Sequence, residues 1–257
     1  MRVFVLAAPS LNAFGRSVLE RFVASRRHPL CGCAIDIRPR KPLARRLRDN
    51  LWRGRGGYVV VMAAKLFVRR REPSVATRAF CERNGIPVLE TADPYSPETI
   101  SAIRSHSPDV LVLIDGFGIL RRPLLDLAAH GVLSYHHGNM RSYRGQPPAL
   151  WELYNGEREL TVTVQRLREA LDAGEPILEW VVPVRDGESV RSLQSRAFAG
   201  SDWMLLEAVE RLEQPGFEPE PIDSFGPVYT LPNLRQWLLL QARIGARRLR
   251  ARARRGG

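Results

Sequence analysis

Hydrophobic positions follow two rhythms along this chain. Residues 2–8 form an apolar run ended by Pro9 and Ser10, and apolar positions at helical spacing follow over residues 14–24. Strand, turn and helix in that order open a parallel α/β domain. Residues 31–35 read as the next strand. Residues 38–57 carry eight basic side chains against one acid, Asp49, and read as a partly helical excursion. Residues 58–62 suit a strand or the start of a buried helix reaching Phe67, and periodicity does not separate the two. A helix over 74–84 stopped by Gly85 and a short strand at 86–88 come next. Ser96 then caps a helix with Pro97 at its first position.

Residues 109–114 are the most apolar strand pattern in the chain, with no face suited to water. Such a run belongs in the middle of a sheet covered by helices. Asp115-Gly-Phe-Gly118 follows it, then a helix over 123–130, and a strand at 132–135 leads into His136-His137-Gly138. Ligands of open α/β sheets lie just outside the carboxyl ends of strands, so the site is expected at these two turns. Alternation at 161–165, a turn at 171–174, a strand over 176–184 and one long helix over 189–212 complete the domain. The pattern predicts an α/β fold, a Rossmann-like, mostly parallel sheet with helices on both faces, over residues 1–214. Residues 215–257 read as a linker, marked by Glu218-Pro-Glu-Pro221, and a basic helical C-terminal tail over 234–255. No Gly-Lys-Thr phosphate loop is present. No Gly-x-Gly-x-x-Gly turn follows the first strand, which argues against an ordinary nicotinamide dehydrogenase.

Composition narrows this little. With 44% hydrophobic and 26% charged residues among 257, the chain suits a globular domain and not a disordered one. No apolar run reaches the roughly 18–20 residues of a membrane span. The N-terminal apolar stretch is too short and Pro-broken for a secretory signal, so a cytoplasmic location is expected. Cys31, Cys33 and Cys81 read as structural thiols in a reducing compartment, with no metal site. The charge of +12 is placed unevenly: eight arginines and no acid lie beyond residue 230, leaving +4 for the rest. Only Lys41 and Lys65 are lysines, a skew that fits a GC-rich genome as well as a selected basic surface. A nucleic-acid partner stays open and is not favoured. The tail is expected to dock on the domain, the alternative being contact with an anionic membrane surface.

The block from His136 to Asp172 carries the chemistry. His136 is followed by Tyr143-Arg144-Gly145, then Trp151, Asn155-Gly156-Glu157, and Leu171-Asp172-Ala-Gly174. This spacing resembles the family of formyltransferases that use 10-formyltetrahydrofolate. Methionyl-tRNA formyltransferase, glycinamide ribonucleotide formyltransferase and the amino-sugar N-formyltransferases belong to it. The resemblance implies that His136 and Asp172 are catalytic and meet across a cleft at the carboxyl ends of the strands. It implies that Gly116, Phe117, Gly118, Ile119 and Leu120, with Ala170 and Leu171, bracket the pterin of the formyl donor. The loop holding His137, Asn139, Tyr143 and Arg144 would face a small-molecule amine, with an amino sugar or sugar nucleotide as first choice. A separate OB-fold domain, found in methionyl-tRNA formyltransferase, is not expected here. Methionyl-tRNA formylation and a folate-binding relative without turnover are the alternatives.

Residue chemistry agrees with that reading. Transfer of a formyl group to an amine requires the amine to lose a proton, the carbonyl oxygen to be stabilised as an oxyanion, and the leaving nitrogen to be protonated. A histidine serves the proton steps near neutral pH, and a carboxylate orients it. Ser134 stands where the family has a catalytic asparagine. Asn139-Met-Arg141 replaces Leu-Leu-Pro, and Thr161 and Ala170 replace glycines. A serine hydroxyl donates one hydrogen bond with a shorter reach. These changes imply a pocket rebuilt around a different acceptor, with Asn139, His137 or a water supplying the oxyanion donor in place of Ser134.

Overall fold

The computed structural model describes residues 1–39, 42–53 and 74–253. The strand or helix expected at 58–67 lies outside them. The chain runs through β1 (Val3–Ala7), β2 (Ser10–Leu11), α1 (Ala13–Ser25), β3 (Leu30–Asp36), α2 (Leu43–Trp52), β4 (Val75–Ala76) and α3 (Thr77–Arg83). It continues with β5 (Val88–Thr91), α4 (Pro97–Ser105), β6 (Val110–Leu113), β7 (Val132–His136), β8 (Arg144–Gly145), α5 (Leu150–Asn155) and β9 (Glu159–Arg166). Last come β10 (Glu175–Pro183), α6 (Val190–Gly200), α7 (Met204–Leu212), β11 (Val228–Tyr229) and α8 (Leu234–Ala253).

The main sheet has the order β10-β9-β7-β6-β1-β3-β5. The five strands from β7 to β5 are parallel, and β9 and β10 add an antiparallel edge. Val3, Val5 and Ala7 of β1 face one core with Val18, Leu19 and Phe22 of α1 and Met204, Leu205 and Ala208 of α7. Phe4 and Leu6 face the other, with Ile100 and Ile103 of α4 and with Phe117 and Leu120. Both faces are covered, which is why the central strands read as continuous apolar runs. Ser96 caps α4 as expected, accepting from the Thr99 N–H at 3.2 Å.

Four segments depart from the pattern. The helix expected over 123–130 is a single 3-10 turn, Leu124–Asp126, because the His130 N–H is taken by the Asp109 carbonyl at 3.0 Å. The helix expected from residue 74 starts at Thr77, because Val75 and Ala76 pair with Leu11 and Ser10. The strand placed at 86–88 begins at Val88, after the Ile86 N–H has bonded the Cys81 carbonyl at the end of α3. The long helix over 189–212 is two helices, α6 and α7, broken at Ser201-Asp202-Trp203.

Residues 215–253 also pack on the sheet domain. β11 pairs in parallel with β8, so the segment read as a linker lies against the Tyr143-Arg144-Gly145 loop. α8 docks on it through Leu240 and Ile244, both buried, and through the Arg243 guanidinium 4.7 Å from the Tyr154 ring centre. Leu238, Leu239 and Leu249 stay exposed on the same helix. No helix among the described residues is long and apolar enough to cross a membrane.

The Tyr135 hydroxyl braces the break between α6 and α7, which Asp202 also ties to Ser17 and Arg21 of α1. Tyr135 Oη donates to the Ser201 carbonyl at 2.7 Å and accepts from the Leu205 N–H at 3.0 Å. Tyr135→Phe leaves both buried backbone groups without that partner. It should lower the unfolding free energy by about 1–3 kcal/mol in urea denaturation, with the far-ultraviolet circular dichroism unchanged.

Candidate active site

β7 ends at His136, and β9 lies antiparallel beside it with Thr163 opposite His136 and Gln165 opposite Ser134. His136 is 6% exposed. Its Nε2 stands 2.7 Å from the Tyr143 carbonyl oxygen, and its Nδ1 stands 3.4 Å from Asp172 Oδ2. A carbonyl oxygen only accepts, so Nε2 carries a hydrogen. A neutral ring would then turn a bare Nδ1 lone pair toward a carboxylate. A proton between Nδ1 and Asp172 removes that repulsion and makes the pair an imidazolium and a carboxylate. The titration directions agree. Burial works against a charged His136, but the Asp172 hydrogen bond and charge and the Tyr143 carbonyl outweigh it and raise the pKa. Burial likewise pushes Asp172 up, yet His136, the Gly145 N–H and the Gln165 amide hold it below the ordinary aspartate range. The two groups expected on opposite walls of a cleft therefore touch.

The sequence places these groups by local means. Asp172 sits in the left-handed region at φ 44°, where its carboxylate accepts from the Gly145 N–H at 2.9 Å and Gln165 Nε2 at 3.3 Å. Gln165 Oε1 also accepts from the Gly174 N–H at 3.0 Å, fixing the turn on its far side. Gly138 must be glycine, because a Cβ there would lie 2.7 Å from His136 Nε2 and 3.0 Å from the Tyr143 oxygen. Gly145, at φ +85°, leaves room for the Tyr229 carbonyl, which a Cβ would strike at 2.2 Å.

Ser134 Oγ donates to the Leu113 carbonyl at 3.4 Å. Asn139 Oδ1 accepts from the Arg141 N–H at 2.9 Å and so closes its own turn. His137 lies among Phe14, Tyr135 and Phe198, with Nε2 3.5 Å from Ser201 Oγ. Burial, then the neighbouring His136 charge, push its pKa down to about 3, so it is neutral at every ordinary pH. Arg144 lies with its guanidinium 5.7 Å from the Phe225 ring centre, and Tyr143 Oη donates to Glu157 at 2.7 Å.

The loop expected beside the pterin divides in two. Phe117 and Leu120 are buried in the core, and Ile119 is 58% exposed. The Phe117 N–H is held by Asp36 Oδ2 at 2.8 Å, and Gly116 packs against the Ala8 backbone. Ala170 and Leu171 are exposed on the neighbouring loop, and Arg122–Glu169 at 3.6 Å ties the two loops together.

Three contributors escaped the sequence reading. Gln165 looked like one more alternating strand residue. Residues 225–230 looked like linker, yet Tyr229 stacks near Trp151 with ring centres 4.9 Å apart, and Trp151 Nε1 donates to the Thr230 carbonyl at 3.0 Å. Glu152 is 3% exposed and shares with His136, Tyr143 and Tyr229 the lining of a small cavity of about 10 Å³. Burial raises its carboxyl to about 7, against the opposing pull of the His136 charge. A lone acid in the apolar stretch Leu150-Trp-Glu-Leu153 was the available signal. Among the described residues no three His, Cys, Asp or Glu side chains are grouped to hold a metal ion.

Residues 41–209 match the formyl transferase family. A methionyl-tRNA formyltransferase from Anaeromyxobacter sp. (strain K) is 34% identical over 154 residues, covering 60% of this chain and 49% of its own. The methionyl-tRNA formyltransferase of Citrifermentans bemidjiense is 34% identical over 147 residues, 57% of this chain and 46% of its own. The chain thus spans about half the length of these relatives. Among solved structures, phosphoribosylglycinamide formyltransferase from Anaplasma phagocytophilum superposes with a TM-score of 0.61 at 17% identity, over 90% of this chain and 99% of that one. An N-formyltransferase from Helicobacter canadensis, in complex with folinic acid and dTDP-3-aminofucose, gives 0.58 at 13% identity over 95% and 80%. At such identities the structures establish a shared fold.

The buried Glu152 yields a stability prediction. With its folded pKa raised from 4.5 to about 7, the wild type loses stability as pH climbs through that window, because unfolding then releases a proton. Gln mimics the protonated acid. Glu152→Gln should match the wild type near pH 4 and exceed it by roughly 3 kcal/mol at pH 8 in chemical denaturation. Equal stabilities at both pH values would show Glu152 to be an ordinary solvated acid.

Proposed function

The chain belongs to the formyl transferase family, and from that premise we propose that it moves a formyl group from 10-formyltetrahydrofolate to the amine of a small molecule. An amino sugar, free or nucleotide-linked, is the first choice of acceptor. The observation that carries this reading is the His136–Asp172 pair, held at the carboxyl end of β7 beside the Tyr143-Arg144-Gly145 loop. The acceptor preference rests on the Tyr-Arg-Gly and Trp151–Glu157 features.

Formyl transfer makes one C–N bond, breaks another and moves one proton from the attacking amine to the leaving nitrogen. The folate supplies the formyl carbon on that leaving nitrogen. Its flat ring, with an apolar face and an amide-like edge, fits exposed Ile119 and Leu171 and the bare backbone of Gly118. His136, kept protonated by Asp172, holds a proton at Nε2 for the leaving nitrogen or for the oxygen that becomes negative. The Tyr143 carbonyl accepts that hydrogen at 2.7 Å, so to act Nε2 exchanges this partner for the reacting group. Asp172 stays ionised and keeps the ring oriented; Glu152, protonated below about pH 7, adds no second negative charge behind the imidazole.

A second reading rests on the relatives at 34% identity, which are named methionyl-tRNA formyltransferases. In it the acceptor amine is that of an aminoacylated tRNA. Incubation with 10-formyltetrahydrofolate and a panel of amino sugars, sugar nucleotides and methionyl-tRNA, read by mass gain of one formyl group, separates the two. Formyl gain on the tRNA alone selects the second reading. Folate binding without any product selects a relative that has lost turnover. On the acceptor that reacts, His136→Ala should lower turnover by ~100-fold or more with the circular dichroism unchanged. An unaltered rate removes His136 from the mechanism.

A further inference from the structure

Away from His136 the described residues enclose a second recess of about 230 Å³, at the seam where α8 meets the sheet domain. Arg158 enters it from the residue before β9, Arg185 from the turn after β10, and Arg247 and Arg250 from α8. The carboxylates in the lining are Glu157 and Asp186. Glu157 accepts the Tyr143 hydroxyl at 2.7 Å, a neutral donor that leaves its charge in place. Among the described residues none of the four guanidiniums has an ion-pair partner, whereas arginines elsewhere, such as Arg141 and Arg196, are paired with Glu179 and Glu188.

The recess is built and not incidental to a basic surface. Leu240 and Ile244 bury one face of α8 against the domain, and Arg248 Nε bonds the Gly187 carbonyl at 2.9 Å. Those contacts fix where Arg247 and Arg250 point along the helix. On the domain side one wall of the recess is the bare backbone of Gly156, and Gly187 lies just outside the lining, next to Asp186. A Cβ on Gly156 would meet Arg247 Nη2 at 3.1 Å, and one on Gly187 would meet Arg248 at 2.7 Å. Glycine at these points lets the arginine helix sit close to the backbone of the opposite wall.

The four guanidiniums outnumber the carboxylates of Glu157 and Asp186 in the lining, which keeps a net charge of +2, and an anion among the arginines meets attraction where they repel one another. Guanidinium forks match phosphate oxygens two at a time. The recess is smaller than the roughly 300–1,000 Å³ of a pocket that engulfs a drug-sized ligand, so it suits a head group more than a whole molecule. A backbone phosphodiester carries one charge and is flanked by sugars on both sides. A terminal mono- or diphosphate carries more charge and enters end-on. We propose that the seam between α8 and the β9/β10 edge is a binding site for the terminal phosphate or diphosphate group of a small molecule, held by Arg158, Arg185, Arg247 and Arg250. This assignment does not depend on the formyl-transfer reading, because it is tested by binding alone.

Calorimetric titration of the full chain with pyrophosphate and inorganic phosphate, at constant ionic strength, is the test. Pyrophosphate should bind one per chain and more tightly than phosphate. Arg158→Gln/Arg185→Gln, which leaves the packing of α8 intact, should weaken it at least 10-fold. Arg247→Gln/Arg250→Gln should do the same, and Arg16→Gln/Arg78→Gln, at distant surface arginines, should not. Absence of pyrophosphate binding, retention in the Arg158/Arg185 variant, or an equal loss in the distant variant would overturn the proposal. A single-stranded RNA lacking terminal phosphates, bound more tightly than pyrophosphate and lost in the same two variants, would overturn it in favour of nucleic acid.

Discussion

One carboxylate organises the carboxyl end of the sheet. Asp172 accepts from the His136 ring on β7, the Gly145 amide of the Tyr-Arg-Gly loop and the Gln165 side chain on β9. Strand β7, the loop that follows it and strand β9 thus meet on one negative group. The residue adopts a left-handed backbone at φ 44°, which is unfavourable for aspartate, and the three donors hold it there. Removing the charge would strand three donors in a half-buried setting, each with a desolvation cost of its own. The loop conformations on either side are therefore consequences of the anion as much as supports for it.

That anion and three titratable groups near it are driven to different protonation states. Asp172 is held down by its donors, His136 is raised by Asp172, His137 is forced neutral by burial, and Glu152 is lifted toward neutrality by burial. Such separation of neighbouring groups is how one site keeps an acid, a charged partner and neutral packing residues at the same pH. The neutrality of His137 has a structural cause. Wedged among Phe14, Tyr135 and Phe198, it fills space that a hydrated imidazolium would not tolerate.

How much of this was legible in the sequence depended on the range of the interactions. The buried central strands could be read from apolar runs such as residues 109–114, and the start of α4 from Ser96-Pro97, because burial and capping act locally. His136 and Asp172 could be placed from their spacing to Tyr143-Arg144-Gly145. Their direct contact could not, because it needs Gln165 and Gly145 to set the turn from across the sheet. The single helix read over 189–212 failed for the same reason. Its break is stabilised by Tyr135, more than sixty residues earlier, and nothing in the local periodicity records that hydroxyl. Glu152 was visible as an acid in an apolar helix, but its proximity to His136 belongs to the fold.

The parallel pairing of β11 with β8 bears on the order in which the molecule can be completed during synthesis. The strands of the main sheet have all left the ribosome once Pro183 has emerged, and the chain can collapse around them. Tyr229, whose carbonyl occupies the space beside Gly145, follows some forty-five residues later. In that interval a nascent chain has its sheet and its His136 strand, but the wall of the Tyr-Arg-Gly loop is still inside or near the exit tunnel. Completion of the scaffold and completion of the site are therefore separate events in the life of each chain, and a chain halted between them is folded at its centre and open at its rim.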